Sequence, residues 1–178
     1  MNYYKDDEMM IREPKEKDVT SLFSWWIDRE GNEFDPRPIP ETCQSLMEEC
    51  SRYCRRISQE VLNPNISERK YTYFMITDLE DRPIGLVNFF SIDAVKKQGE
   101  MGVEIGDKRY WRKGIAAKAV KAATNYIFAH MDIRRIYIET GENNYKALGL
   151  FKKLGFVSCG EYMEEDGFRF IVMELLKE

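Results

Sequence analysis

The hydrophobic positions of this chain follow two periods, and the switches between them outline its elements. From Ile115 to His130, apolar or small residues recur every three or four positions (Ile115, Ala116, Ala119, Ala122, Ala123, Tyr126, Ile127), while Lys118 and Lys121 lie off the stripe. That spacing predicts an amphipathic helix. Just before it, Met101, Val103 and Ile105 alternate with Glu100, Gly102, Glu104 and Gly106, the period of a strand with one buried face. Upstream, a short strand from Met9 to Arg12 stops at Pro14. A helix from Asp18 to Arg29 follows, with Asp18 as N-cap and Trp26 on its core face, Trp25 being left open. Three prolines make Gly31 to Pro40 a stiff loop. A second helix, Glu41 to Leu62, carries Cys43, Leu46, Met47, Cys50, Tyr53, Cys54, Ile57 and Val61 on one face and ends at Asn63-Pro64-Asn65.

Strands are predicted at Tyr71 to Thr77 and Ile84 to Ser91 around the turn Leu79 to Pro83, and a polar turn at Val95 to Gly99. Arg135 to Glu139 reads as a buried strand. Asn144 to Leu154 reads as a helix capped by Asn143, with Gly155 at its C-terminal turn. Phe156 to Met163 and Phe168 to Leu175 form a terminal hairpin around Asp166-Gly167. With no repeat or linker, this order predicts a single α/β (α+β) domain over residues 1–178, a sheet with helices on both faces.

Composition narrows the function classes. The 178 residues with 43% hydrophobic content support a sizeable single core. A net charge of -4 gives no support for nucleic-acid binding, which normally needs a basic face. No membrane span or signal peptide is legible, so a cytoplasmic protein without membrane partners is expected. Cys43, Cys50, Cys54 and Cys159, with one His (His130) and no CxxC, argue against a zinc site. The cysteines read as small apolar core residues, Cys159 also being a candidate for lining a cleft. His130 reads as a residue satisfying a helix C-terminus.

The strand, glycine turn and helix at Tyr110 to Ala117 carry chemistry of their own. Free N–H groups and the helix dipole converge at such a turn and favour an anion. Lys108, Arg109, Arg112 and Lys113 flank it, although spacing alone fits an ordinary connection with solvated charges equally well. The spacing is neither GxxxxGK[ST] nor GxGxxG, so the phosphate would belong to another kind of ligand.

The run from Gly102 to Phe156 resembles the GNAT superfamily of acyl-CoA-dependent N-acetyltransferases, and within it the RimJ/RimL-like branch. The family's pyrophosphate signature, [Q/R]xxGx[G/A], falls on Trp111 to Ala116, with Trp at its first position as that branch often has. A second block, an Asn followed by Gly-Phe, falls on Asn144 and Gly155-Phe156. The resemblance implies a GNAT-like fold, with a mixed, mostly antiparallel central sheet of about seven strands. It implies an acyl-CoA-binding core at 100–156, a variable acceptor-side loop and helix at 31–66, and acetyl-CoA as cosubstrate with no metal. It further implies transfer to a small-molecule amine such as a polyamine, or to a protein N-terminal amine, and a possible homodimer.

Carried over residue by residue, the resemblance puts the base on Glu100 or Glu104 and the pantetheine amide on backbone groups of Val103 and Ile105. The pyrophosphate falls to the N–H groups of Arg112, Lys113, Gly114, Ile115, Ala116 and Ala117, and Asn144 bonds the pantetheine arm or lies near the thiol. Many members have a Tyr acid for the thiolate where this chain has Phe151, leaving Tyr145, Cys159 or no acid at all. The competing reading is a non-catalytic acyl-CoA-binding or regulatory module; a third is a structural domain with no ligand. Asp28, Glu30, Glu33 and Asp35 are further candidates for attracting a polyamine.

Overall fold

The computed structural model describes residues 1–34, 37–165 and 167–178. Eight strands form one sheet: β1 (Asn2–Lys5), β2 (Met10–Arg12), β3 (Thr72–Thr77), β4 (Pro83–Asp93), β5 (Gln98–Glu104), β6 (Arg135–Gly141), β7 (Val157–Met163) and β8 (Arg169–Leu176). Their spatial order is β1-β2-β3-β4-β5-β6-β8-β7, antiparallel throughout except for the parallel pair β5–β6. This is the mixed α/β architecture expected, with one strand more than the seven read from sequence. Strand β1 has no apolar alternation; its Tyr3 ring instead packs on Phe74 and Tyr126, with centroids 4.9 and 4.5 Å away.

Four helices flank the sheet: α1 (Val19–Trp26), α2 (Cys43–Glu60), α3 (Ile115–His130) and α4 (Tyr145–Lys153). One face carries the larger core, in which Ile115, Ala119, Val120, Ala123 and Ile127 of α3 and Phe151 of α4 meet Phe74, Val87, Phe89, Met101, Ile136, Ile138 and Met173. The other face carries a smaller cluster of Leu22, Trp25, Tyr53, Ile57, Val61, Met75 and Leu86, drawn from α1, α2, β3, β4 and the residue following α2. Among the described residues no helix is long and apolar enough to cross a membrane.

Local chemistry explains where the boundaries differ from the sequence reading. Helix α1 stops at Trp26 because the Asn32 amide donates to the Trp25 and Asp28 carbonyls at 2.8 and 2.7 Å. Asp18 precedes α1 but makes no capping bond, since its carboxylate is held by the Arg12 guanidinium at 2.7 and 2.9 Å and by the Lys15 N–H at 2.7 Å. The two tryptophans exchange their expected roles. Trp25 is the core residue at 8% exposure, while Trp26 is only part-buried, with the Arg37 guanidinium 3.1 Å above its ring and its indole N–H donated to Glu49 at 2.7 Å.

The cysteines are not core. Cys43, Cys54 and Cys159 are exposed and Cys50 half-buried, because α2 buries Tyr53 and Ile57 and turns the stripe with Cys43 and Met47 outward. The cap of α4 is Asn144 rather than Asn143, its side-chain oxygen accepting from the Ala147 N–H at 3.1 Å. His130 closes α3, stacked on Tyr126 at 4.4 Å with Nδ1 3.1 Å from the Tyr126 carbonyl. The expected turn residue Asp166 lies outside the described residues, as do Pro36 and Asp35.

Candidate active site

A parallel strand pair that separates creates a notch in a sheet, and β5 and β6 do this. They pair only at Gln98–Arg135, Gly99–Ile136 and Glu100–Tyr137, yet both strands run on for four more residues. Glu100 therefore sits at the apex. A Cβ on Gly85 would lie 2.2 Å from the Glu104 carbonyl oxygen, so that carbonyl faces β4. Backbone groups alternate sides along a strand, which turns those of Val103 and Ile105 towards the notch, where the sequence reading expected pantetheine contacts. One of them is already engaged: the Trp111 indole donates to the Ile105 carbonyl at 2.6 Å.

The mouth of the notch is formed by the turn into α3. Arg112 and Gly114 have positive φ, 61° and 79°, and alternating handedness of this kind curls successive N–H groups around one point. Gly114 caps α3 without any side-chain bond. The N–H groups of Arg112, Lys113, Gly114, Ile115, Ala116 and Ala117 have no partner among the described residues. A Cβ on Gly114 would meet nothing within 4 Å, so the space above the turn is open. Six free donors at a helix N-terminus suit a diphosphate. The flanking charge is half of what the sequence suggested. Lys108 is held by Asp28 and Glu30 at 2.9 and 2.7 Å, and Arg109 by Asp107 at 2.6 Å, leaving Arg112 and Lys113 without a carboxylate among the described residues.

Helix α4 begins beyond the end of β6, with the Asn144 N–H donated to the Gly141 carbonyl at 2.9 Å, so a second helix N-terminus opens at the same end of the sheet. Capping occupies the Asn144 oxygen, leaving its amide NH2 to contact a ligand. Two expected site residues do not fit their roles as drawn. Phe151 is 3% exposed and packs edge-on against Phe156 at 5.0 Å, so its surface is spent on the core rather than on a ligand. Tyr145 is 77% exposed on the first turn of α4, and among the described residues no hydrogen bond holds its hydroxyl at an acid's position. Cys159 lies on the outer strand β7, its thiol 3.6 Å from the Val172 carbonyl and 3.7 Å from the Arg135 guanidinium.

Glu100 and Glu104 share one sheet face but not one environment. Glu104 lies under α2, where burial pushes the Tyr73 hydroxyl up to about 12, with Tyr71 and Glu104 adding to the rise. Glu100 faces the part that no helix covers, and its carboxyl is pushed up to about 7, first by burial and then by the negative charge of Glu139. Its surroundings include Tyr137, its register partner, and Glu139, which accepts a hydrogen bond from the Tyr162 hydroxyl at 2.8 Å. Neither Glu139 nor Tyr162 was picked out from sequence. The available signal was the alternation of Arg135, Tyr137 and Glu139 with buried Ile136 and Ile138, which makes β6 buried on one face only.

The loop acids are mostly neutralised. Asp28 and Glu30 hold Lys108, and Glu33 lies 3.7 Å from Lys146; Asp35 lies outside the described residues.

Comparison with known proteins agrees with this geometry. The acetyltransferase (GNAT) domain profile matches residues 8–157. A spermidine N(1)-acetyltransferase of Vibrio cholerae is 28% identical over 107 residues, 60% of this chain and 61% of that protein. The Escherichia coli K12 spermidine N(1)-acetyltransferase is 31% identical over 99 residues, 56% of this chain and 50% of that protein. The chain thus spans between half and two thirds of the length of these relatives. Among solved structures, the V. cholerae spermidine N-acetyltransferase in complex with CoA and spermine has a TM-score of 0.75 at 20% identity, covering 96% of each chain. A GNAT-family acetyltransferase of Bacillus anthracis has a TM-score of 0.77 at 17% identity, covering 99% of this chain and 98% of that one. With the profile covering most of the chain and the sheet split where a cosubstrate arm would enter, this protein belongs to the acetyltransferase (GNAT) domain family.

Proposed function

We propose that this protein is an acetyl-CoA-dependent N-acetyltransferase acting on a primary amine, with a polyamine as the favoured acceptor. The observation that carries the reading is the notch between β5 and β6, with six N–H groups unpartnered among the described residues at its mouth and Glu100 at its apex. The turn Arg112 to Ala117 holds the pyrophosphate, Val103 and Ile105 the pantetheine amide, and Asn144 the arm through its amide NH2. Ile105 and Glu100 are separated by about 17 Å at the usual strand rise, a span suited to an extended arm that brings its thioester to the apex.

Direct transfer follows from this arrangement. The acceptor arrives as an ammonium, Glu100 takes one proton, and the freed amine attacks the thioester carbonyl. The tetrahedral intermediate then expels the CoA thiolate as the C–S bond breaks, and the nitrogen's second proton ends on the thiol. A carboxylate whose pKa lies near 7 is a far better base at neutral pH than an ordinary one. Glu104, covered by α2, is the second candidate. No acid is assigned: with Phe151 buried and Tyr145 at the surface, the thiolate leaves without one, and positioning supplies much of the rate.

The polyamine acceptor is supported by the relatives named above and by the carboxylates and tyrosines of the uncovered face. In this reading the finer sequence resemblance, to the RimJ/RimL-like branch, narrows to polyamine-acetylating members. The single-domain assignment over 1–178, with its acceptor side at 31–66, is part of the same proposal. So is a homodimer, for which the fully exposed edge strand β7 is the natural contact and light scattering the measurement. The four free cysteines support a reducing, cytoplasmic setting.

The test is thiol release from acetyl-CoA with spermidine, free amino acids, an aminoglycoside and a ribosomal-protein N-terminal peptide, after calorimetry with acetyl-CoA. Turnover with spermidine is expected. Turnover with the peptide alone would replace the acceptor class, and binding without turnover on the whole panel would favour the non-catalytic reading to which Phe151 points.

A further inference from the structure

The uncovered half of the sheet holds two carboxylates that the fold keeps close without a cation between them. Glu100 on β5 is paired in register with Tyr137, and Glu139 lies two residues further along β6 on the same face. Among the described residues, neither carboxylate forms an ion pair. Glu139 is nonetheless held in place. The Tyr162 hydroxyl donates to its Oε2 at 2.8 Å, and the Tyr162 ring is stacked on Phe170 of β8 at 5.2 Å and 9°. That ring sits opposite Phe170 in the β7–β8 ladder, so two outer strands fix a side chain of the central one.

A like charge placed beside a half-buried carboxyl is costly unless it has a use, because each disfavours ionisation of the other. The remaining groups around Glu100 do not cancel it. Strand β4 brings Phe90 opposite Glu100 and, next to it, uncharged Ser91. On β6, Arg135 is committed to Glu174 of β8 at 2.5 Å and to Gln98 at 2.8 Å. Tyr137 is a neutral phenol, its pKa raised by burial and then by Glu100 and Glu139. On β5 itself, Glu104 lies four residues away beneath α2.

Resting on the reading of Glu100 as the base, we propose that Glu139 and Tyr162 are positioning residues for it. Tyr162 anchors the Glu139 carboxylate, and the Glu139 charge keeps the Glu100 carboxyl basic enough to take a proton from an ammonium acceptor at neutral pH. Neither residue needs to touch the acyl group. The arrangement also gives a use to the hydrogen bond that Tyr162, 41% exposed and far along the chain from the notch, donates to Glu139.

The experiment is the pH profile of kcat/KM for acetyl transfer to spermidine, alongside a carbon-detected NMR titration of the glutamate carboxyls in the protein without ligand. In wild type, activity rises with pH through a limb that follows Glu100. Glu139→Gln moves both the limb and the Glu100 titration to lower pH. Tyr162→Phe moves them the same way by less, with the fold retained. If Glu139→Gln leaves the Glu100 titration where it is, the proposal is overturned although the base assignment stands. If the limb does not follow the Glu100 titration, or Glu100→Gln retains activity, it is the base assignment that fails. An increase in KM for spermidine but not for a monoamine, with the limb unmoved, would instead make Glu139 a contact for the distal ammonium.

Discussion

One face of this sheet is covered across nearly its whole width, by a core that runs from β2 to β8 beneath α3 and α4. The opposite face is covered over β3, β4 and the Glu104 end of β5, where α1 and α2 pack, and among the described residues the core cluster there takes no residue from β6, β7 or β8. Side chains follow the cover. Under α2 most are apolar or aromatic, as with Met75, Leu86 and Tyr73, with Glu104 at the end of β5; beyond it they are Glu100, Tyr137, Glu139 and Tyr162. A sheet face that has to form a core cannot tolerate two unpaired carboxylates, and a face left open for a cationic acceptor can use them. The contrast sets Glu100, in the uncovered half, apart from Glu104 beneath α2, and the proposed function takes the uncovered half as the acceptor side.

The comparison can be broken by substitutions that act oppositely in the two halves. The largest effect is expected from Glu100→Gln, which removes the base and should lower acetyl transfer by about 10²–10⁴-fold at neutral pH while acetyl-CoA affinity by calorimetry is retained; Glu104→Gln should leave most of the rate. In the covered half, Ile57, 1% exposed, contributes packing alone. Ile57→Ala should cost about 2–5 kcal/mol of stability in a denaturant titration with little change in kcat per folded molecule.

At the mouth, Gly114→Val forces a side chain into a backbone with φ of 79°. The expected cost is about 1–2 kcal/mol, together with weakened acetyl-CoA binding as the N–H cradle distorts, and calorimetry reads the second effect directly.

The smallest effect sharpens the contrast in sign. The folded protein raises the Glu100 carboxyl from an ordinary 4.5 to about 7, so the native state binds more protons than the unfolded chain between these values. Stability therefore falls as pH rises through that window, and the penalty is fully present above about 7. Discounted for the solvent that reaches a half-buried carboxylate, Glu100→Gln should stabilise the protein by about 1 kcal/mol at pH 8. The gain should vanish near pH 4.5. A variant that loses activity while gaining stability is what an acceptor site predicts, and what a core position such as Ile57 cannot produce.

Much of this was legible in the sequence because it depends on near neighbours. The alternation in Met101, Val103 and Ile105 and the stripe of α3 gave the central strand and helix within a residue or two, and the turn Arg112 to Ala117 is a local backbone device written in Gly114 and the residues around it. The errors came where a distant residue claimed a local one. Asp18 does not cap α1 because Arg12 takes its carboxylate, Lys108 does not reach the anion turn because Asp28 and Glu30 hold it, and Trp25 rather than Trp26 is buried because the sheet beneath α1 selects the face. Strand β1 was missed because its one packing residue, Tyr3, meets α3 and β3 without any period of its own.

By itself, then, the sequence determined the periods, the glycine turn and the family, since these need only the spacing of residues along a chain. That Glu100 lies half-buried in the uncovered part of the sheet, with Glu139 and Tyr162 near it, was decided only by the tertiary structure. Those relations depend on the register of β5, β6, β8 and β7 and on where α2 stops covering the sheet. Desolvation and charge proximity are properties of three-dimensional distance, and residues 100, 139 and 162 share nothing in the sequence that would bring them together.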